Sequence, residues 1–144
     1  MIQTAVTSPY ADFTFYQETY KGSKFTSGTE FEEHALRAEE ILDEMTWDRI
    51  PNMDERFMTE ALALKIRKAV CAMAEVSKQC NPMYTDAGNS AGIASENNDG
   101  YSVSFQDPEA VTRAYRSRLE TAARRFLGTT GLLYRGGGDW HDHE

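Results

Sequence analysis

Apolar residues recur at helical spacing in three stretches of the chain. In the first, TEFEEHALRAEEILDEM, they follow one another at steps of four and three, which gathers them on one side of a helix. Thr29 and Glu32 have the spacing of a capping box, which predicts Thr29 as the N-cap. The stripe contains Phe31, Ala35, Ala38, Leu42 and Met45, and Leu36 and Ile41 widen it.

Two further helices are predicted downstream. One runs from about Asp54 to Gln79, and because its second half is apolar nearly all the way round, we expect several neighbours to bury it. The other runs from Pro108 to Leu127, since Asp107 can cap it and Gly128 can end it. Its apolar stripe contains Val111, Tyr115, Leu119, Ala122 and Phe126.

The segments around these helices have other patterns. Tyr101, Val103 and Phe105 alternate with serines after the turn-forming sequence NNDG, which predicts a β-hairpin with GIASE as its partner strand. The first 28 residues are rich in aromatic side chains and are compatible with either a short helix or a strand. Beyond Gly128, the sequence TGLLYRGGG places a short apolar segment between glycines.

Together these patterns predict a mainly α-helical fold: a small helical bundle of three to four helices, with a long loop carrying a β-hairpin and a flexible C-terminal arm. A length of 144 residues fits a single domain over residues 1–144. Its helical core covers about 29–128, its hairpin-bearing loop about 81–106 and its C-terminal arm about 129–144. The sequence contains neither an apolar run of membrane-spanning length nor a signal-peptide pattern, so we expect no membrane association. Cys71 and Cys80 are too far apart on one predicted helix to form a disulfide, so we expect a reducing cytoplasm.

Charge is distributed unevenly along the chain. The net charge of −8 argues against general nucleic-acid binding. Residues 30–45 contain seven acidic residues and one arginine, whereas residues 108–127 contain five arginines and two acidic residues. The two helices could pair within one chain or between subunits, and the sequence does not distinguish these cases. The candidates for pairing between subunits are Glu39, Glu40, Arg113, Arg116 and Arg124.

Signatures of catalysis and of cofactor binding are weak. Cys71 lies in an apolar helical stretch, where we expect an inert core thiol. Phe31 precedes His34 by three residues, so the Glu-x-x-His motif of di-metal proteins fails, and we expect His34 to be exposed or at the edge of its helix. The terminal DWHDHE contains ligand types without a framework, and RGGGD lacks the lysine of a P-loop. We therefore expect no catalytic, metal or cofactor site.

Four stretches in order, YQETYKG, RAEEILDEMTWDRI, SENNDGYSVSF and TGLLYRGGG, resemble the head–tail connector (adaptor) proteins of tailed bacteriophages and of prophages in Gram-positive bacteria. The resemblance implies a small helical subunit without enzymatic activity. It also implies a ring, typically of twelve copies, on the portal vertex of the virion. Such a ring bridges the portal protein and a tail-side stopper or tail completion protein. It also extends the channel through which DNA passes. The resemblance implies that the subunit is made in the host bacterial cytoplasm before it joins the virion.

The C-terminal signature of that family matches GLLYRG, so the resemblance implies an assembly contact through Leu132, Leu133, Tyr134 and Arg135. Alternatively, the apolar residues of this segment fold back onto their own bundle. Tyr101, Val103 and Phe105 are candidates for a subunit or channel contact. An alternative function is a small helical oligomeric binding or regulatory module that presents its arginine-rich helix to a protein partner.

Overall fold

The computed structural model describes residues 6–81 and 108–133, and the described part is mainly helical. A short helix α1 (Phe13–Phe15) continues into a π-helical turn (Tyr16–Tyr20). Helix α2 (Gly28–Met45), a 3-10 turn (Glu55–Phe57), helix α3 (Glu60–Cys80) and helix α4 (Pro108–Leu127) follow. The predicted hairpin, including Tyr101, Val103 and Phe105, lies outside the described residues.

Some of the observed helix bounds agree with the predicted ones and others differ. Helix α4 begins and ends at the predicted residues, which confirms that prediction. Helix α2 begins two residues earlier than Thr29 would allow, because the Ser27 hydroxyl accepts the Glu30 N–H as its N-cap. The predicted capping box at Thr29 is therefore wrong. Helix α3 begins at Glu60 with Thr59 as its cap, whereas Asp54 caps the separate 3-10 turn.

Helix α3 is the central element, because α2 and α4 both pack against it. Its second half is buried from Ala69 to Ala74, which confirms the expectation drawn from its apolar surroundings. Cys71 belongs to this stretch, and burial raises the pKa of its thiol. The predicted stripe of α2 also faces the core, but Leu36 does not widen it, since 44 % of that side chain is exposed.

An aromatic cluster closes one end of the core. The Tyr16 ring is fully buried against Phe31 and Phe25, at centroid distances of 4.8 and 5.5 Å. Its hydroxyl accepts the N–H groups of Lys24 and Phe25 and donates to Glu75 of α3 at 2.8 Å. Within the aromatic N-terminal segment, residues 13–20 thus form a short helical stretch that packs on α2 and α3.

His34 is buried, contrary to the sequence prediction. It is 3 % exposed, and its Nδ1 lies 2.7 Å from the Ser77 hydroxyl of α3. Burial lowers the pKa of the imidazole. The prediction of an exposed or flanking residue failed because His34 lies three residues after Phe31 and four before Ala38, which places it on the same buried side of the helix.

Candidate functional site

The turn that ends α2 has an unusual backbone. Thr46 is fully buried, and its hydroxyl donates to the Leu42 carbonyl at 2.9 Å. Trp47 and Asp48 follow with φ angles of 54° and 57°, a left-handed conformation that residues other than glycine seldom adopt. After this turn the Trp47 side chain is exposed, whereas Arg49 is buried.

Arg49 joins this turn to the start of the C-terminal segment. One of its guanidinium nitrogens donates to the carbonyls of Gly131 and Leu132, at 3.3 and 3.2 Å. The guanidinium also lies over the Trp47 ring at 5.0 Å, a cation–π distance. Because Arg49 is only 8 % exposed, the contact is largely shielded from water. Two of the stretches that carry the resemblance, RAEEILDEMTWDRI and TGLLYRGGG, therefore meet at this residue.

The predicted assembly residues differ in burial at this junction. Leu132 is fully buried in the core of its own chain, as in the alternative in which the segment packs on its own bundle. Leu133 is partly buried and lies at the surface beside α4. Tyr134 and Arg135 lie outside the described residues.

A surface groove of about 350 Å³ extends from Leu133, and we call it the Trp47 groove. Its apolar lining is Met45, Trp47 and Leu133, and its charged lining is Glu44, Arg116, Glu120 and Arg124. Trp47 is 46 % exposed, the largest exposure among the big apolar side chains that the structure describes. Tryptophan and arginine are the residue types most enriched in the energetic centres of protein interfaces. The groove therefore has the composition of a contact surface.

The charged candidates have different surroundings. Glu39 is 5 % exposed and accepts the Tyr10 N–H at 2.8 Å, so its carboxylate is engaged within its own chain. Arg116 bridges to Glu44 of α2 at 3.1 Å and approaches Glu120 at 3.9 Å. Glu40, Arg113 and Arg124 are exposed, and Arg124 lines the Trp47 groove.

Sequence reasoning assigned no individual role to Trp47 or Arg49, although both stand in a stretch that carries the resemblance. The available signal was the position of an aromatic residue and an arginine directly after the predicted end of a helix. The partners of Arg49, Gly131 and Leu132, are more than 80 residues away, so no local pattern reveals the contact.

The described residues contain neither a metal-binding cluster nor a membrane-spanning helix. Within residues 6–81 and 108–133, no three His, Cys, Asp or Glu side chains gather where they could hold a metal ion. No helix in these ranges combines the length and apolar character needed to cross a bilayer. Comparison of the chain with protein-family models, curated proteins and solved structures found no match.

Proposed function

We propose that this chain is a structural subunit of a bacteriophage head–tail connector, without catalytic activity. In this proposal its copies assemble as a ring on the portal vertex of the virion. The ring bridges the portal and a tail-side stopper or tail completion protein, and DNA passes through its channel. The subunit would be a small bundle of three to four helices whose loop, at about 81–106, carries the hairpin, and it would be made in the host cytoplasm.

The observation that carries the proposal is the Arg49 junction. By donating to the carbonyls of Gly131 and Leu132, Arg49 holds the start of the C-terminal segment against the turn that ends α2. That point adjoins the exposed Trp47 ring. A sequence that resembles an assembly signature thus starts beside an apolar surface that the described residues, 6–81 and 108–133, leave half exposed.

A second copy of the same chain suits the Trp47 groove chemically. The groove combines an apolar centre with two carboxylates and two guanidinium groups, so it offers complementary charges of both signs. The desolvated centre would supply most of the affinity, and the charged rim would set the register of the two subunits. Arg116 already pairs within its own chain with Glu44 at 3.1 Å and with Glu120 at 3.9 Å, which leaves Arg124 as the rim charge best placed for a neighbour.

Light scattering coupled to size-exclusion chromatography, followed by electron microscopy, tests the proposal. The full chain should form a closed ring with a central channel as its concentration rises. The double variant Trp47→Asn, Leu133→Ser should remain monomeric, and asparagine is chosen because it tolerates the left-handed backbone of position 47. Leu36→Ser, Leu64→Ser is the matched control, since both leucines are exposed away from the groove.

The outcomes discriminate between the two functions considered. Ring formation that is lost only in the groove variant supports the connector. A compact dimer that does not grow with concentration overturns it and favours the binding or regulatory module. Equal loss of assembly in both double variants would show that the Trp47 groove is not the contact.

A further inference from the structure

A second surface feature lies away from the Trp47 groove. A cleft of about 450 Å³ is formed by residues 19–24, α3 and the end of α4. Three separate parts of the chain bring cationic side chains to it: Lys21, Lys24, Lys68 and Arg125. Glu75 is the one carboxylate among its described lining residues. The cleft therefore has a net positive charge, although the whole chain has a net charge of −8.

None of these four cations forms an ion pair with a residue that the structure describes. Other basic residues there do form ion pairs, as Lys78 does with Glu30 at 3.4 Å and Arg116 with Glu44 at 3.1 Å. Glu75 accepts a hydrogen bond from the Tyr16 hydroxyl at 2.8 Å, which engages one of its oxygens. Like charges held together in this way attract an anion, because a multivalent anion relieves their mutual repulsion.

The backbone of the cleft is held in one conformation before any ligand binds. The Tyr16 hydroxyl accepts the N–H groups of Lys24 and Phe25 at 2.7 and 3.2 Å. Lys21 has a left-handed φ of 61°, and a Cβ added at Gly22 would clash with the Tyr16 ring. Since the turn is already ordered, binding a ligand there costs little conformational entropy.

The aromatic wall of the cleft orients its arginine. The Tyr20 and Phe126 rings meet edge to face at 6.3 Å, and the Arg125 guanidinium lies over Phe126 at 5.1 Å. A stacked guanidinium uses its face for the ring and keeps its N–H groups in the plane for bidentate bonds to phosphate oxygens. The three lysines add compact positive charges around that fork.

We propose that this cleft binds a ligand that carries two or more adjacent phosphate groups. Its volume lies within the range of about 300–1,000 Å³ that small-molecule sites occupy, and it exceeds the space that one phosphate needs. The polyphosphate of a nucleotide and consecutive phosphodiesters of a single-stranded nucleic acid both present this chemistry. The proposal does not depend on the connector role, because none of the cleft residues lines the Trp47 groove.

Isothermal titration calorimetry in phosphate-free, low-salt buffer tests the proposal, with inorganic tripolyphosphate as the probe. Lys68→Glu and Arg125→Ala should each weaken binding roughly tenfold or more, since each removes a cation that meets the anion directly. Lys65→Glu lies one turn away on α3 and lines a different pocket, and Arg118→Ala removes an exposed arginine of α4 that lines neither the cleft nor the Trp47 groove. Both controls should retain the affinity of the unmodified chain within about twofold.

The same titration with a nucleoside triphosphate and with a six-nucleotide oligo(dT) separates the two sources of phosphate. Tighter binding of the triphosphate identifies a nucleotide-like ligand, and tighter binding of the oligonucleotide identifies nucleic acid. Either result supports the proposal, provided that Lys68→Glu and Arg125→Ala weaken binding and the controls do not. Absence of binding by all three probes at millimolar concentration overturns it, as does an equal loss in cleft and control variants.

Discussion

Arg49 is the residue on which the C-terminal segment depends. Its guanidinium reaches two consecutive carbonyls, of Gly131 and Leu132, that would otherwise be poorly solvated beside the core. Hydrogen bonds from a charged donor are stronger than those between neutral groups. A buried carbonyl that lacks its donor lowers the stability of the folded protein. The buried position of Leu132 therefore depends on Arg49, which is 83 residues away in the sequence.

Arg49→Ala should lower the free energy of unfolding by about 2–4 kcal/mol, because two carbonyls lose a charged donor and the core loses the packing of the arginine stem. Chemical denaturation measures this change. Hydrogen exchange at the Leu132 and Leu133 amides should accelerate by more than global unfolding explains.

Arg56→Ala is the matched control for that measurement. Arg56 pairs with Asp54 at the surface, where its side chain is 68 % exposed. Its loss should cost about 0.5 kcal/mol or less. If the two arginine variants lose the same stability, Arg49 does not anchor the segment.

Polar residues on the buried side of α2 limit what residue-level reasoning could predict. Glu39 and His34 are both buried and both have polar partners, Tyr10 and Ser77. Charged and polar residues are buried mainly where such partners exist, and those partners belong to segments far away in sequence. The apolar stripe of α2 could be predicted because spacing alone defines it. The partners that permit burial of His34 and Glu39 could not.

At the scale of elements, local signals predicted some helix ends better than others. The proline of α4 and the glycine after it mark that helix on both sides, and both bounds were predicted correctly. Ser27 and Thr29 are both good caps, and the hydroxyl that accepts the Glu30 N–H decides between them. The π-helical turn Tyr16–Tyr20 had no comparable signal, because tertiary contacts of Tyr16 hold it.

Tyr16→Phe should destabilise the protein by about 2–4 kcal/mol, although the ring itself is kept. The Lys24 and Phe25 amides would lose their acceptor and Glu75 its donor, and unpaired buried N–H groups cost about 1–3 kcal/mol each. Thermal and urea denaturation measure the loss.

Tyr20→Phe is a matched control on the same turn. The Tyr20 hydroxyl forms no hydrogen bond to a residue that the structure describes, and its ring contacts Tyr16 and Phe126 in either variant. We expect a change of about 0.5 kcal/mol or less. Similar losses in both variants would mean that the Tyr16 hydroxyl does not hold the turn.

At the scale of the whole molecule, the acidic α2 and the basic α4 pack on the same central helix. Arg116 and Glu44 join them at 3.1 Å within one chain, so part of the charge complementarity predicted from the sequence is satisfied internally. The pair is exposed, which limits its contribution to stability to about 1 kcal/mol or less. The remaining exposed charges, such as Glu40 and Arg113, can still act between subunits. Sequence alone could not make this division, because it depends on which side chains the packing brings within reach.

Glu40→Lys tests pairing between subunits more cleanly than a change at Glu39, whose buried carboxylate accepts the Tyr10 N–H and whose reversal would disturb the fold itself. Because Glu40 is exposed, its replacement should alter the free energy of unfolding by about 0.5 kcal/mol or less. If α2 meets α4 of a neighbour, self-association measured by sedimentation velocity in low salt should weaken roughly tenfold.

Salt and a charge-matched variant complete that experiment. The defect of Glu40→Lys should shrink at about 1 M salt, where the screening length falls to about 3 Å and exposed charges no longer interact over a subunit contact. Glu55→Lys changes the net charge equally on an exposed turn outside α2, so it should associate like the unmodified chain. Equal weakening by both variants would trace the effect to net charge. An unchanged Glu40→Lys would show that the charges of α2 and α4 pair within each chain, and the Trp47 groove would then have to supply the register between subunits.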